Sequence, residues 1–378
     1  MKILMPVLHY PPVIGGFEVF SQSIAERIGK TEDVFLITSR VAGVKNKEKK
    51  HKLKIFRTSP FKLKDLSYSK PWFIFGSMIW IFFKSLRLIK KIDLIHAQGF
   101  LSGIIAYFLF KFTKKPYIIT IQSADFSVYH PRLNINIIKY IYSKFEKAIF
   151  KNAVYGHAVS NHLEKHLKRF IKKTIVIPNG VSKDFKPDLN KRENRKKLGF
   201  DTDNLICCVS RLEHKNGTHD LIEAGKYLKG DFKVIIIGSG SEKEKLEKMI
   251  KDFKLENKVF LLGDMVYAEI PKYVALADIF VRPSLAEGFG IVFLEAMAVN
   301  VPVIGTPVGG IPDFLKHMEN GLFCEPGNPK DIAEKINLLE DKELKEKLVK
   351  NGKKMVDEIY DWDKISKKIF KLYENCNS

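Results

Sequence analysis

Lys2-Ile-Leu-Met-Pro-Val7, then Tyr10-Pro-Pro-Val-Ile-Gly-Gly-Phe-Glu18, then a helical run over residues 19–28: a short apolar strand, a glycine-bearing loop and a helix follow one another directly. The same succession starts again at residues 33–38, 53–57, 93–97, 117–121 and 153–159, each an Ile- and Val-rich run with a helix-length segment behind it. Parallel strands need crossover helices, so this alternation predicts a mostly parallel sheet covered by helices on both faces. It resumes at residues 205–209, 233–237, 258–262, 278–282, 301–305 and 321–324. The fold class is therefore α/β, two Rossmann-like doubly wound domains. A chain of 378 residues agrees, since single cores stop growing near ~250–300 residues.

The domains are expected at 1–178 and 179–358, with a final helix over 359–378. Between the first two lies Ile177-Pro-Asn-Gly-Val181 and then a polar stretch, residues 182–198, which reads as a surface linker. Open α/β sheets bind ligands beyond the carboxyl ends of their strands. Two such domains facing each other would enclose a cleft, and the loops after strands are where function is sought.

The composition, 45% hydrophobic and 28% charged, is that of a soluble globular protein. Cys207, Cys208, Cys324 and Cys376 show neither metal-ligand nor disulfide spacing, which fits a reducing cytoplasm, and residues 1–7 read as a strand and not as a signal peptide. The net charge of +21 is unevenly spread: residues 1–178 hold 31 Lys and Arg against 10 Asp and Glu, whereas residues 179–378 hold 33 of each. The basic half points to an anionic partner, either lipid headgroups, a phosphorylated acceptor or nucleic acid, or else to a Lys-rich solvated surface.

Several loops carry candidate chemistry. Gly15 and Gly16 stand at a helix N-terminus, where free N–H groups and the helix dipole favour an anion. In Val209-Ser-Arg-Leu-Glu-His-Lys-Asn-Gly217, Arg211 and Lys215 lie four residues apart after a strand. Two cations there suit a diphosphate leaving group bound without a metal. Arg282-Pro-Ser-Leu-Ala-Glu-Gly-Phe-Gly-Ile-Val-Phe-Leu-Glu-Ala-Met-Ala298 places Glu287 in a strand-end loop and Glu295 within the following helix, where a buried carboxylate can accept two ribose hydroxyls. Thr306-Pro-Val-Gly-Gly-Ile-Pro-Asp313 is a second Gly-Gly turn, read as presenting backbone donors to an anion. Gly238-Ser-Gly240 is half a dinucleotide fingerprint and reads as an ordinary turn. The triplets Asp201-Thr-Asp203 and Asp361-Trp-Asp363 fall at loop and helix-start positions, where Asp is a common cap, and no metal site is expected.

Together with Asp93-Leu-Ile-His-Ala97 and Ile177-Pro-Asn-Gly-Val181, these motifs resemble, nearly end to end, the retaining glycosyltransferases of family 4, which have the GT-B fold. The resemblance implies transfer of a sugar from a nucleoside diphosphate sugar, UDP- or GDP-linked, with retention at the anomeric carbon. The nucleotide would lie on the C-terminal domain and the acceptor on the basic N-terminal one. It assigns the ribose to Glu295, the donor sugar to Glu287 and the backbone at Phe289, Gly290 and Ile291, the diphosphate to Arg211 and Lys215, and the distal phosphate to the Gly16 N–H beside Gly15. Two departures stand out. Asn216 falls where many members carry Lys, and Gln122 falls where many carry His; an amide can hydrogen-bond but cannot carry a proton.

Charge on the leaving group is what such a reaction must stabilise, and the cations and helix N-termini are expected to do so with no metal and no permanently bound cofactor. Retention is read as front-side attack, the departing phosphate oxygen taking the acceptor's proton, with Glu287 as the one candidate nucleophile for the covalent alternative. His96, His157 and Asn179 are candidate acceptor or cleft residues; for either histidine a structural strand-end role stands as an equal alternative. The final helix would couple the domains, and closure around the donor follows as an expectation.

Lys70-Pro-Trp-Phe-Ile-Phe-Gly-Ser-Met-Ile-Trp-Ile-Phe-Phe-Lys84, followed by Arg87, Lys90 and Lys91, reads as too short to span a bilayer. It is either a core helix or a shallow attachment to anionic lipid on the inner face of the cell membrane, with a lipid-linked or glycan acceptor nearby. A nucleotide-sugar 2-epimerase shares the architecture, but the loop bearing Glu287 and Glu295 favours transfer. Nucleic-acid binding is disfavoured: no recognition motif is present and the acidic pair would repel phosphate.

Overall fold

The computed structural model describes residues 1–12, 15–63, 71–123 and 136–376. Val13 and Ile14 of the first glycine loop, Lys70, and Ala124 and Asp125 beyond Gln122 lie outside the described residues. The chain divides into two compact units, Met1–Asn179 with Trp362–Ser378, and Gly180–Asp361.

In the first unit the strands are β1 (Lys2–Pro6), β2 (Asp33–Val41), β3 (Lys47–Lys50), β4 (Leu53–Leu63), β5 (Leu94–Gln98), β6 (Tyr117–Ile121), β7 (Tyr155–Ala158) and β8 (Thr174–Val176). Its helices are α1 (Gly16–Ile28), α2 (Pro71–Leu88), α3 (Gly99–Thr113), α4 (Asn136–Asn152) and α5 (Asn161–Leu167). The sheet order is β3-β4-β2-β1-β5-β6-β7-β8, parallel except for β3 against β4. Continuous apolar runs such as Ile3-Leu-Met5 are what a strand buried on both faces requires. Helix α1 buries Phe20, Ile24 and Ile28 at four-residue spacing.

The second unit has α6 (Lys191–Lys197), β9 (Asn204–Val209), α7 (Thr218–Ala224), β10 (Phe232–Ile237), α8 (Lys243–Asp252), β11 (Val259–Gly263), α9 (Ile270–Leu276), β12 (Ile279–Arg282), α10 (Ile291–Ala298), β13 (Val303–Gly305), β14 (Leu322–Phe323), α11 (Pro329–Leu338) and α12 (Lys342–Ile359). Its all-parallel sheet runs β11-β10-β9-β12-β13-β14. The chain then returns to the first unit as α13 (Trp362–Glu374), whose Trp362, Ile365, Ile369, Leu372 and Tyr373 join the core built by β1, β2, β5 and α1. Each sheet reverses its strand order once, between β1 and β5 and between β9 and β12. A ligand crevice forms at such switch points.

Three expectations need correction. The stretch over residues 182–198 is not simply a linker: α6 belongs to the second unit, where buried Arg195 donates to Leu276 O at 2.7 Å and contacts Asp278 at 2.6 Å. Its charges read as solvated, but they satisfy the carbonyls ending α9. Strands β3 and β8 escaped notice because one is a charged edge strand and the other has only three residues. Helix α2 with its terminal turn is long and apolar enough, from Trp72 to Lys91, to cross a bilayer by length and composition. Its inner face nonetheless buries Phe73, Ser77, Met78, Ile81 and Ser85.

His96 and His157 do not face a surface. Both are fully buried in the first unit. His96 Nδ1 lies 2.6 Å from Tyr373 Oη and its Nε2 2.7 Å from Thr120 Oγ1; His157 Nδ1 shares that hydroxyl at 2.7 Å and its Nε2 is 2.8 Å from Ile177 O. The reading as cleft residues is replaced by a polar chain tying β5, β6, β7 and α13. Burial holds the pKa of His96 down to about 3, His157 adding to the effect, and burial likewise holds His157 at about 4. The unfolded chain takes up protons near the ordinary 6.5 that the folded chain refuses. Stability from these groups is therefore full above that value and lost as pH falls toward 4. Unfolding midpoints measured across this window should drop with acid, and His157→Gln should flatten the slope by up to ~1.4 kcal/mol per pH unit; an unchanged slope would refute the neutral assignment.

Candidate active site

At the switch point of the second unit the connections after β9 and β12 are stitched together by their backbones. The N–H groups of Leu285 and Ala286 both donate to Lys215 O, at 2.7 and 3.2 Å. Gly217 has φ +66°, and a Cβ there would sit 1.8 Å from Pro283 O, so neither the conformation nor the space admits a side chain. Asn216, 3% exposed, donates to Arg211 O at 2.7 Å and accepts from Arg282 Nη2 at 3.1 Å. Arg282 Nη2 also lies 2.7 Å from Glu287 Oε2, an ionic contact without hydrogen-bond alignment, while Glu287 Oε1 accepts from the Gly288 N–H at 3.0 Å. Arg211 is exposed and Lys215 half-buried. Two cations thus border the loop whose acidic residue is already neutralised by a third.

The second Gly-Gly turn has another role than the one expected. A Cβ on Gly309 would lie 1.7 Å from Glu287 O, and the Gly310 N–H donates to that same carbonyl at 3.3 Å. A 3-10 turn, Ile311–Asp313, follows. The glycines let this turn press against the Glu287 backbone, so Gly310's donor is spent inside the protein.

Gly290, with φ +89°, caps α10, and Ile291 opens it, half-buried. No side chain caps this helix start, which leaves its dipole available to an anion. Phe289 is buried against Phe314 and Tyr360. One helical stretch on, Glu295 is 2% exposed and accepts a 2.6 Å hydrogen bond from Tyr267 Oη. Burial pushes the Glu295 carboxyl up to about 7 against the opposing hydrogen bond from Tyr267. A carboxylate this desolvated with one native donor has acceptor capacity to spare, the setting a functional acid occupies.

In the first unit Gly15 precedes α1 in an extended conformation and Gly16 begins it, with nothing within 4 Å of a Cβ placed on Gly16. Buried Ser21 on α1 bonds Gln98 at the end of β5, fixing α1 against the neighbouring strand of the switch point. Gln122, just past β6, is half-buried, and its Nε2 is buried with no hydrogen-bond partner among the described residues; the same holds for Oδ1 of Asn179, 4% exposed. The structure therefore gathers Arg211, Lys215, Glu287, Phe289, Gly290, Ile291 and Glu295 on one unit, and Gly15, Gly16, Gln122 and Asn179 on the other. Sequence reasoning missed Tyr267 and the clamping by Arg282 and Asn216. Asn216 offered a signal, as a polar residue where a cation was expected; Tyr267, 28 residues before its partner, offered none.

Comparison with known proteins agrees with this architecture. Residues 14–185 match the family described as Glycosyltransferase Family 4, and residues 190–355 match Glycosyl transferases group 1. An uncharacterized glycosyltransferase of Methanocaldococcus jannaschii is 29% identical across 99% of this chain and 98% of its own. Among solved structures, sucrose-phosphate synthase from Thermosynechococcus elongatus superposes with a TM-score of 0.85 at 23% identity, covering 99% of this chain and 98% of that one. HepE from Anabaena, in complex with UDP and glucose, superposes at 0.80 and 21% identity over 99% and 100%.

The clamp can be tested directly. Asn216→Ala strands the Arg211 carbonyl and part of Arg282, and should cost ~1–3 kcal/mol in unfolding experiments. Asn216→Lys, which puts a cation where many family 4 members have one, buries an ammonium and should cost more. A lysine variant as stable as the parent would show that the loop repacks freely.

Proposed function

Since the chain belongs to the family 4, group 1 glycosyltransferases, we propose that it transfers a sugar from a UDP- or GDP-linked donor, with retention and without a required metal, to a lipid-linked or glycan acceptor at a membrane surface. The observation that carries the donor half is Glu295: a buried carboxyl behind a helix start, with one donor among the described residues and acceptor capacity left for ribose hydroxyls. Arg211 and Lys215 supply the positive charge for a departing diphosphate. The UDP held by the Anabaena structure supports a nucleoside diphosphate as the ligand class.

The setting of Glu287 favours front-side attack over a covalent intermediate. One oxygen is engaged by Arg282 and the other by the Gly288 N–H, so the carboxylate orients the sugar-binding loop. The acceptor hydroxyl then gives its proton to the departing phosphate oxygen as the new glycosidic bond forms. Buried His96 and His157 stay neutral and out of reach, and Gln122 contributes a hydrogen bond only.

The acceptor half rests on α2. Its outer face exposes Trp72, Phe75, Ile79, Trp80 and Phe83, with Phe112 of α3 exposed as well. Exposed Arg87, Lys90, Lys91, Lys111 and Lys114 lie toward the ends of the two helices, and a hollow of about 600 Å³ there is lined by Arg87, Lys90, Thr113 and Lys115. An apolar face bordered by cations, on a helix whose other face is packed on β2 and β4, suits a helix lying flat in the headgroup region of an anionic bilayer, the inner face of the cell membrane.

Two experiments bear on this reading. In calorimetry with UDP, GDP, ADP and dTDP in EDTA, one nucleotide should bind and Glu295→Ala should weaken it by ~2–4 kcal/mol, roughly 30- to 1000-fold. Ribose hydroxyls donate to the ionised carboxylate, so affinity should rise as pH climbs through about 7, with proton release that Glu295→Gln removes. The free protein has the opposite slope: this group's stabilisation is full below its ordinary 4.5 and lost as pH passes 7. Absence of any nucleotide binding would remove the donor assignment. In co-sedimentation the protein should bind phosphatidylglycerol-containing vesicles and not pure phosphatidylcholine, and Arg87→Ala with Lys90→Ala should weaken binding roughly 30-fold. Equal binding to both vesicle types would rule out the anionic-surface reading.

A further inference from the structure

The connection after β9 and the first turn of α7 each carry a histidine that the donor reading leaves unused, His214 and His219. The rings of His214 and His219 stack with centroids 4.7 Å apart and planes within 5°. His219 Nε2 lies 3.3 Å from Asp220 Oδ1, which leaves Nδ1, buried and without a hydrogen-bond partner among the described residues, as the nitrogen with an unused lone pair. The Asp220 carboxylate is itself 6% exposed, and its Oδ2 has no partner among the described residues. From the connection between β10 and α8, Glu242 brings Oε1 to 3.7 Å from His214 Nδ1. One ring nitrogen of each histidine and one oxygen of Glu242 lie within 4.8 Å of one another.

We propose that His214, His219 and Glu242 form a site for a divalent transition metal of the zinc type, with Asp220 orienting His219. Two imidazoles and one carboxylate are the donor set zinc accepts in a tetrahedron with an open fourth position, whereas Mg²⁺ and Ca²⁺ select oxygen ligands. A carboxylate on the far nitrogen of a ligating imidazole fixes its tautomer and ring orientation, the arrangement common around bound metals. Bonds of about 2.0–2.1 Å need the three ligand atoms about 3.3 Å apart. Turning the exposed His214 side chain out of its stack on His219 supplies that closure. The sequence hides the site, since Glu242 lies 23 residues beyond His219 and only the parallel pairing of β9 with β10 brings the two connections to one sheet edge.

The metal would join the loop bearing Arg211 and Lys215 to the neighbouring connection. It would fix that loop without entering the transfer chemistry, so the site is independent of the metal-free donor reading.

The test uses the full-length chain stripped with EDTA and titrated with Co²⁺, read by visible absorption, with Zn²⁺ as competitor. A single equivalent should give a tetrahedral d–d band that Zn²⁺ displaces. His214→Ala and His219→Ala should abolish the band, and Asp220→Asn should weaken binding roughly 10- to 100-fold. His162→Ala, an exposed histidine in the first unit, should change nothing. His214 is exposed, so its variant folds even where the buried Asp220 variant does not, and nucleotide affinity of His214→Ala in EDTA should match the parent. A band that survives in both His214→Ala and His219→Ala, or no band in the parent, overturns the site; loss of nucleotide binding in the parent, with the band intact, counts against the donor reading alone.

Discussion

The second unit depends on backbone-to-backbone contact at its switch point. Gly217 meets Pro283 and Gly309 meets Glu287 at distances no Cβ tolerates. These contacts draw the connections after β9, β12 and β13 into one layer at the carboxyl edge of the sheet. Side chains then have fixed places: Asn216 can reach both Arg211 O and Arg282, and Arg282 can reach Glu287. Were the loops a methyl group further apart, the clamp would open. Preorganisation of this kind costs no rearrangement at the moment of reaction.

The units differ in part in how they satisfy buried polar groups. The first buries a neutral chain, Tyr373, His96, Thr120 and His157 ending on Ile177 O, in which each imidazole has a partner at both nitrogens. It rigidifies a core assembled from both ends of the sequence, because α13 arrives some 180 residues after β8. Both units pair charge beneath the surface: Arg57 with Glu48 in the first, Arg195 with Asp278 and the half-buried Arg282 with Glu287 in the second. Glu295 has no cation beside it among the described residues; it accepts from Tyr267, and desolvation raises its pKa to about 7. A buried acid whose pKa is raised by desolvation, behind a helix start at the switch point, is a candidate ligand-directed group.

The alternation of apolar runs and helix-length segments made the two sheets legible, because strands such as β1, β9 and β10 are buried on both faces and carry continuous apolar residues. The charged edge strand β3 and the three-residue β8 lacked that signal. Loop motifs placed Arg211 and Glu287 in the connections after β9 and β12, and Glu295 in the helix that follows, which is where the structure has them. Which atoms they touch was not legible. The reading of Gly309 and Gly310 as anion donors and of His96 and His157 as cleft residues each turned on whether a polar atom was already satisfied. That depends on residues distant in sequence, Glu287 for the glycines and Tyr373 for His96.

The distribution of charge follows from the same difference. In the second unit, Gly180–Asp361, 29 cations stand against 31 anions, and the surface pairs, such as Lys197 with Glu193 and Lys353 with Asp357, are local to single helices. Exposed pairs of this sort add little stability; their effect is to keep that unit's field weak, so that the cations of one loop dominate locally. In the first unit the excess of cations has few anions to pair with, and the field extends outward from α2 and α3, beside exposed aromatic rings. A short-range, loop-confined field suits a small multiply charged ligand. A broad one beside apolar rings suits an extended anionic surface, since each cation adds a modest attraction and the rings add burial that salt does not screen.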